Sequence, residues 1–159
     1  HMYEQRYGRI VFTSSGSGIF GNFGQSNYGA AKMGMLGLAN VLALEGAARN
    51  VRVNCLGPGA ATRMTNTVPG RDEDLSEPDP LRAPSLVSPA VLYMCSDEAP
   101  NGAVIHASGG NYSQSQIYVN EPIELGANAT YEDLLPHVDQ LLDMSQAKPR
   151  ERRVPQKRQ

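Results

Sequence analysis

The stretch IVFTSSGSGIFGNFGQSNYGAAKMGMLGLANVLALEG, residues 10–46, decides how the rest of the chain is read. Its apolar start, counted from Arg9 to Ser14, predicts a buried strand. Residues 15–25 follow as a loop with glycines at 16, 18, 21 and 24. From about Ser26 to Ala48 the composition turns to Ala, Leu and Met and predicts a helix. Gly29, Gly34 and Gly37 each weaken that helix by up to ~1 kcal/mol, a cost whose expected compensation is close packing. Tyr28 and Lys32 are four residues apart, so on this helix they share a face, one turn from each other. An ammonium beside a phenol favours the phenolate and draws the hydroxyl toward useful acid/base range. Ser15, thirteen residues before Tyr28, sits at the end of the strand, where its hydroxyl can reach over the start of the helix. A lone Tyr-x-x-x-Lys is a common surface pattern. What carries weight is the ordered series: strand, Ser15, Gly-rich loop, Asn27-Tyr28, Ala30-Ala31-Lys32, apolar helix, second strand.

Working outward, Val51-Arg52-Val53-Asn54-Cys55-Leu56 is that second strand, and Ala103-Val104-Ile105-His106-Ala107 a third. Thirty-six residues separate the first two strands and about 46 the second and third, each gap holding a helix. Parallel strands joined by crossovers follow. The stretch 57–84, with prolines at 58, 69, 78, 80 and 84 and the acidic run Asp72-Glu73-Asp74, reads as a long loop with at most short helices. Ser88-Pro89 reads as a capping serine and a first-turn proline, opening a helix to about Asp97. Gly109-Gly110 makes a turn and 112–119 a further extended segment. Thr130 and Asp133 suggest a capping box for a helix of about 131–144, with Leu134, Leu135, Val138, Leu141 and Leu142 at helical spacing. Residues 145–159 form a polar tail with Lys148, Arg150, Arg152, Arg153, Lys157 and Arg158, expected to be solvated and disordered.

At 159 residues with 40% hydrophobic composition the chain suits one domain with a core. A net charge of −2 argues against a nucleic-acid binder. No apolar run approaches the ~18–20 residues of a membrane span. Cys55 and Cys95 lie in apolar runs without metal-ligand spacing and are read as buried thiols of a reducing, cytoplasmic protein, with no metal site. Thr13, Ser14 and Ser17 read as turn residues, His106 as structural and His137 as helix surface. A serine hydrolase using Ser15 or Ser17 lacks the Gly-x-Ser-x-Gly elbow.

The segments 10–46, VRVNCLGPGAATRMT (51–65) and NGAVIHASGG (101–110) together resemble the short-chain dehydrogenase/reductase family over about residues 7–112. GNFGQSNY and RMT are most similar to the (3R)-hydroxyacyl-CoA dehydrogenase domain of peroxisomal multifunctional enzymes and their bacterial relatives. The resemblance implies an NAD- or NADP-dependent oxidoreductase that interconverts a secondary alcohol and a ketone on a small or CoA-linked hydroxyacyl substrate. It implies Tyr28 as general acid/base, Lys32 as its charge partner and ribose ligand, and Ser15 as hydrogen-bond donor to the substrate oxygen. Pro58 and Gly59 match the turn that lines the nicotinamide. Backbone groups of Ala60 and Ala61 and the Thr62 hydroxyl are candidate cofactor contacts, Thr62 on a turn one residue shorter than the commonest pattern.

The family's opening strand, Gly-rich turn and helix have no counterpart here, nor do its Asn-Asn-Ala-Gly turn and catalytic asparagine. Gly-Ser-Gly at 16–18 does not replace that turn, since no helix starts directly after it. The expected fold is therefore α/β, the C-terminal half of a Rossmann-like doubly wound parallel sheet without its N-terminal dinucleotide-binding half. His1-Met2 reads as an expression-vector scar, 3–112 as the truncated catalytic part, 113–144 as an extension with one helix and 145–159 as the tail. The chain alone is expected to be inactive, within an enzyme expected to be a homo-oligomer. The competing reading is a non-catalytic interaction or oligomerisation module, in which an unpaired apolar strand edge recruits another chain.

Overall fold

Alternation along two strands sorts their side chains onto two faces. Ile10 and Phe12 fall on one face and Val11 on the other; Val53 and Cys55 oppose Asn54 and Leu56. A sheet with apolar residues on both faces needs helices on both, and the computed structural model, which describes residues 1–65 and 79–150, has them. The chain divides into two units, 1–115 and 116–159. In the first unit a short helix α1 (Met2–Gln5) precedes β1 (Gly8–Thr13), α2 (Gly16–Ile19), α3 (Ser26–Gly46) and β2 (Val51–Gly59). Two 3-10 turns, Pro80–Arg82 and Pro84–Leu86, lead into α4 (Ser88–Cys95), β3 (Val104–Ser108) and β4 (Asn111–Ser115). The sheet order is β1-β2-β3-β4, with β1, β2 and β3 parallel and β4 antiparallel to β3.

α3 covers one face, burying Leu36, Ala39 and Ala43 against Val51, Val53, Cys55 and Val104. α4 covers the other with Ala90 and Met94 against Leu56 and Ala107. The fully buried Asn54 is satisfied at both ends: its Nδ2 donates to the Pro100 carbonyl at 2.8 Å and its Oδ1 accepts from the Ala103 N–H at 2.9 Å. Arg9, its side chain almost fully enclosed, ties the amino end of β1 to the loop after α4 and to the turn before β2, donating to Ser96 O at 2.8 Å and to Asn50 O at 3.1 Å. Among the described residues no buried side-chain polar atom lacks a partner, and no helix is long and apolar enough to cross a membrane.

Several expectations need correction. The loop expected at 15–25 contains α2, one turn long; left-handed glycines, Gly21 at φ 84° and Gly24 at φ 78°, follow it. Ser88 is the first residue of α4 and not its cap; no side chain caps that end, and the helix stops at Cys95. Gly29 does pack closely, a Cβ there lying 3.2 Å from the Ser17 carbonyl, but Gly34 and Gly37 have nothing within 4 Å. Cys55 is buried and its thiol is pushed up by that burial, whereas Cys95 is exposed; both are free. The extended segment at 112–119 is two strands. β4 turns back from β3 at Gly109 and Gly110, whose φ angles of 58° and 74° make that turn a glycine site.

The second unit is described to residue 150. β5 (Tyr118–Val119) pairs antiparallel with β6 (Lys148–Pro149), so the expected tail is ordered at its start. The Thr130 capping box is present. Its helix is broken into α5 (Tyr131–Leu134), a 3-10 turn Leu135–His137 and α6 (Val138–Leu142), with Pro136 at the break. Pro69, Asp72, Glu73, Asp74, Pro78, Arg152, Arg153, Lys157 and Arg158 lie outside the described residues.

Candidate active site

The three parallel strands run in one direction, and their carboxyl ends deliver Ser14-Ser15, Pro58–Thr62 and Ser108-Gly109 to one end of the sheet. In open α/β sheets this end is where ligands bind. α3 supplies the remaining groups. With a turn every 3.6 residues, Tyr28, Lys32, Leu36, Ala39, Ala43 and Gly46 fall within a wedge of about 80°. The later members are buried against the sheet. Tyr28 and Lys32 belong to the same stripe but precede it, where the helix overhangs the sheet's end. Tyr28 is accordingly 42% exposed and Lys32 half-buried.

The Lys32 ammonium donates to the Thr13 carbonyl at 3.0 Å and lies 5.7 Å from the centre of the Tyr28 ring. Ser15 caps α2, its Oγ accepting from the Ser17 N–H at 3.2 Å. Accepting that bond leaves the hydroxyl proton free to be donated elsewhere. What brings Ser15 to α3 is bare backbone. A Cβ at Gly18 would sit 2.8 Å from Lys32 Cβ and 2.9 Å from the Met33 nitrogen, so only glycine lets α2 lie on α3 at that point. Ser14 adds a second tie. Read as a turn residue in the sequence, it is buried, donates its hydroxyl to the Lys32 carbonyl at 2.8 Å and its N–H to Leu56 O at 2.7 Å. Strand end, α2 and α3 are thereby locked around Lys32. Nothing in the sequence marked Ser14, because the partner that buries it is eighteen residues away.

Across the edge, β2 runs three residues past β1, whose pairing ends at Thr13 opposite Leu56. Leu56 O bonds the β1 side, while Val53 O and Cys55 N bond the β3 side. Alternation then turns Pro58 toward the β1 side, where its missing N–H ends the ladder after the Ser14–Leu56 bond. Beyond Gly59 the backbone is largely engaged. The Ala61 N–H donates to Arg82 O at 2.9 Å and the Thr62 N–H to Thr65 Oγ1 at 2.9 Å. Thr65, which sequence reasoning missed, is buried and donates in turn to Ala60 O at 3.2 Å. Ala61 therefore offers a ligand its carbonyl, and Thr62 an exposed side chain. Among the described residues no cluster of His, Cys, Asp or Glu could hold a metal.

A hydroxyl donor, a phenol and an ammonium at one open edge fit the reacting end of a nicotinamide and a substrate carbonyl or alcohol. The described residues offer no Gly-rich turn leading into a long helix for the phosphates: the one that follows β1 is four residues long.

The family profile described as short chain dehydrogenase matches residues 1–73. A short-chain type dehydrogenase/reductase of Mycobacterium tuberculosis is 42% identical over 151 residues, covering 93% of this chain and 50% of the relative. Peroxisomal multifunctional enzyme type 2 of Mus musculus is 49% identical over 111 residues, 69% of this chain and 14% of that protein. Among solved structures, full-length peroxisomal multifunctional enzyme type 2 from Drosophila melanogaster superposes with a TM-score of 0.79 at 36% identity, covering 94% of this chain and 27% of that one. The chain thus spans half or less of the length of each of these relatives.

Proposed function

We propose that this chain, which matches the short-chain dehydrogenase family, carries the acid/base half of an NAD- or NADP-dependent oxidoreductase that interconverts a secondary alcohol and a ketone. The substrate we assign is a small or CoA-linked hydroxyacyl compound, a class suggested by the names of relatives such as acetoacetyl-CoA reductase of Rhizobium meliloti. The observation that carries this reading is the lock around Lys32, which fixes the Ser15 turn one helical turn from Tyr28.

In this reading a bound nicotinamide would supply hydride transfer to or from the substrate carbon. Tyr28 exchanges the proton at the substrate oxygen, as base in oxidation and acid in reduction. Ser15 donates its hydroxyl proton to the same oxygen as charge develops there, an interaction worth about 3 kcal/mol when preorganised. Lys32 supplies positive charge beside the phenol ring and, on exchanging Thr13 O for a ligand, holds ribose hydroxyls. Pro58, Gly59, Ala61 and Thr62 line the nicotinamide side.

Tyr28→Phe tests the assignment in the enzyme as the cell makes it. Turnover should fall by about a hundred- to ten-thousandfold with the melting temperature unchanged, in keeping with the worth of a positioned acid/base group; a fully active variant refutes the role.

A second reading has one observation behind it. β1 is an edge strand with no partner on its outer side among the described residues, and unpaired edges recruit other chains. Calorimetric titration with NAD and NADP separates the two: binding supports the enzyme, and its absence together with self-association supports an interaction module. We also propose a homo-oligomer, on the outward Met33, Leu38 and Val41 of α3, and a cytoplasmic setting, on two unpaired cysteines.

A further inference from the structure

We propose that His106 is a positioning residue of this site: with Phe20 it braces the Ser15 turn against the Gly57-Pro58-Gly59 segment. Val104 packs under α3, and His106, two residues on, lies on the same face of β3. It stands opposite Gly57 in the strand register. A Cβ at Gly57 would lie 2.7 Å from its Nδ1, so the imidazole rests on bare backbone one residue before Pro58. Its Nε2 is paired with Ser115 Oγ on β4 at 2.6 Å, which fixes the ring plane.

Phe20 stacks on the imidazole, ring centres 5.6 Å apart and planes inclined by 24°. Phe20 is the residue that closes α2, its N–H donating to Gly16 O at 2.7 Å, and Ser15 is the residue that opens it. A helix of four residues, two of them glycine, has no length with which to stabilise itself. It is held from outside: at Ser17 and Gly18 by α3, at Ile19 by the core, and at its closing residue Phe20 by His106. Phe20 is 72% exposed and gains its place by stacking on the imidazole. The pair therefore spans from the Ser15 side of the edge to the Pro58 side. The inference extends the reading of Ser15 given above.

Amide exchange measured by NMR on the full chain tests the brace. In His106→Ala and in Phe20→Ala, the Gly18, Ile19 and Phe20 amides should exchange about three- to tenfold faster, the worth of one aromatic pair. Combining the two changes should add little more, because both remove one contact, and His106→Phe should restore most of the protection. The Ser14 and Cys55 amides of the sheet should keep their rates. Unchanged rates at 18–20 in His106→Ala, or additive effects of the two changes, overturn the proposal. If His106→Ala loosens the sheet as well, Phe20→Ala, which alters an exposed ring, decides by the same criterion. None of these rates needs turnover, so the brace and the Tyr28 assignment fail separately.

Discussion

Residues 1–115 and 116–150 reach order by different means. Every buried hydrophobic side chain among the described residues, Leu36 through Ala107, belongs to the first unit. Among the described residues of the second unit none is fully buried, and Tyr131, Leu135, Leu141, Leu142 and Met144 are exposed. Its conformation is instead specified by polar contacts at chain ends. The Asn120 Nδ2 lies within reach of three carbonyls at the end of α6, Gln140, Leu141 and Asp143, at 3.0–3.4 Å. Thr130 and Asp133 cap α5 reciprocally, and Lys148 meets Glu121 at 2.7 Å. The contrast separates two jobs: buried area stabilises, whereas exposed capping bonds mainly select a conformation.

The contrast predicts where damage spreads. Met94→Ala empties a fully buried site and should destabilise the first unit by about 2–5 kcal/mol in chemical denaturation, while amide exchange in 120–143 keeps its wild-type rates. Loss of protection there in step with the core would mean that one cooperative transition covers both units. Asn54→Ala strands the Ala103 N–H and the Pro100 carbonyl and should cost about 1–3 kcal/mol, again confined to the first unit. Asn120→Ala should raise the exchange rate of the Asp143 amide, worth about 0.5–1.5 kcal/mol locally, without moving the melting temperature of the sheet.

The smallest effect is acid fraying of α5. The Thr130 hydroxyl, and after it the Thr130 backbone, hold the Asp133 carboxyl below the usual range. A carboxyl depressed in the folded state contributes stability that is present above its unfolded pKa and lost as pH falls through the folded one. Carbon-13 titration of Asp133 should therefore show a midpoint below the model-peptide value near 3.9, returning toward it in Thr130→Ala; an identical midpoint in both removes the cap from consideration.

Legibility in the sequence followed the kind of force involved. Strands β1 to β3, helix α3 and the separation of Tyr28 from Lys32 were readable because apolar period and spacing are local. The Thr130–Asp133 cap was readable for the same reason, and Pro136 just beyond it was overlooked because the leucine pattern continues through it. β4 was not read as a strand paired to β3 because Asn-Tyr-Ser-Gln-Ser has no apolar alternation; the two glycines before it set its course. Ser14, Asn54 and Thr65 were missed because a polar side chain declares its partner only after the chain has folded. Ser88 was misread for the opposite reason: the serine-proline pair is a strong local signal, and here the helix takes the serine into its first turn.

One feature of β2 constrains how this protein can change. Its bonding groups and its side chains both alternate, so Pro58 is tolerated and Cys55 is buried only at their present even and odd places. A single residue inserted or deleted between Val51 and Asn54, with the start of the strand held in register, would send Asn54 toward α3 and turn the proline's ring nitrogen toward β3. Length variation in this strand is thus expected only in pairs of residues, a parity rule written into the chain by one imino acid.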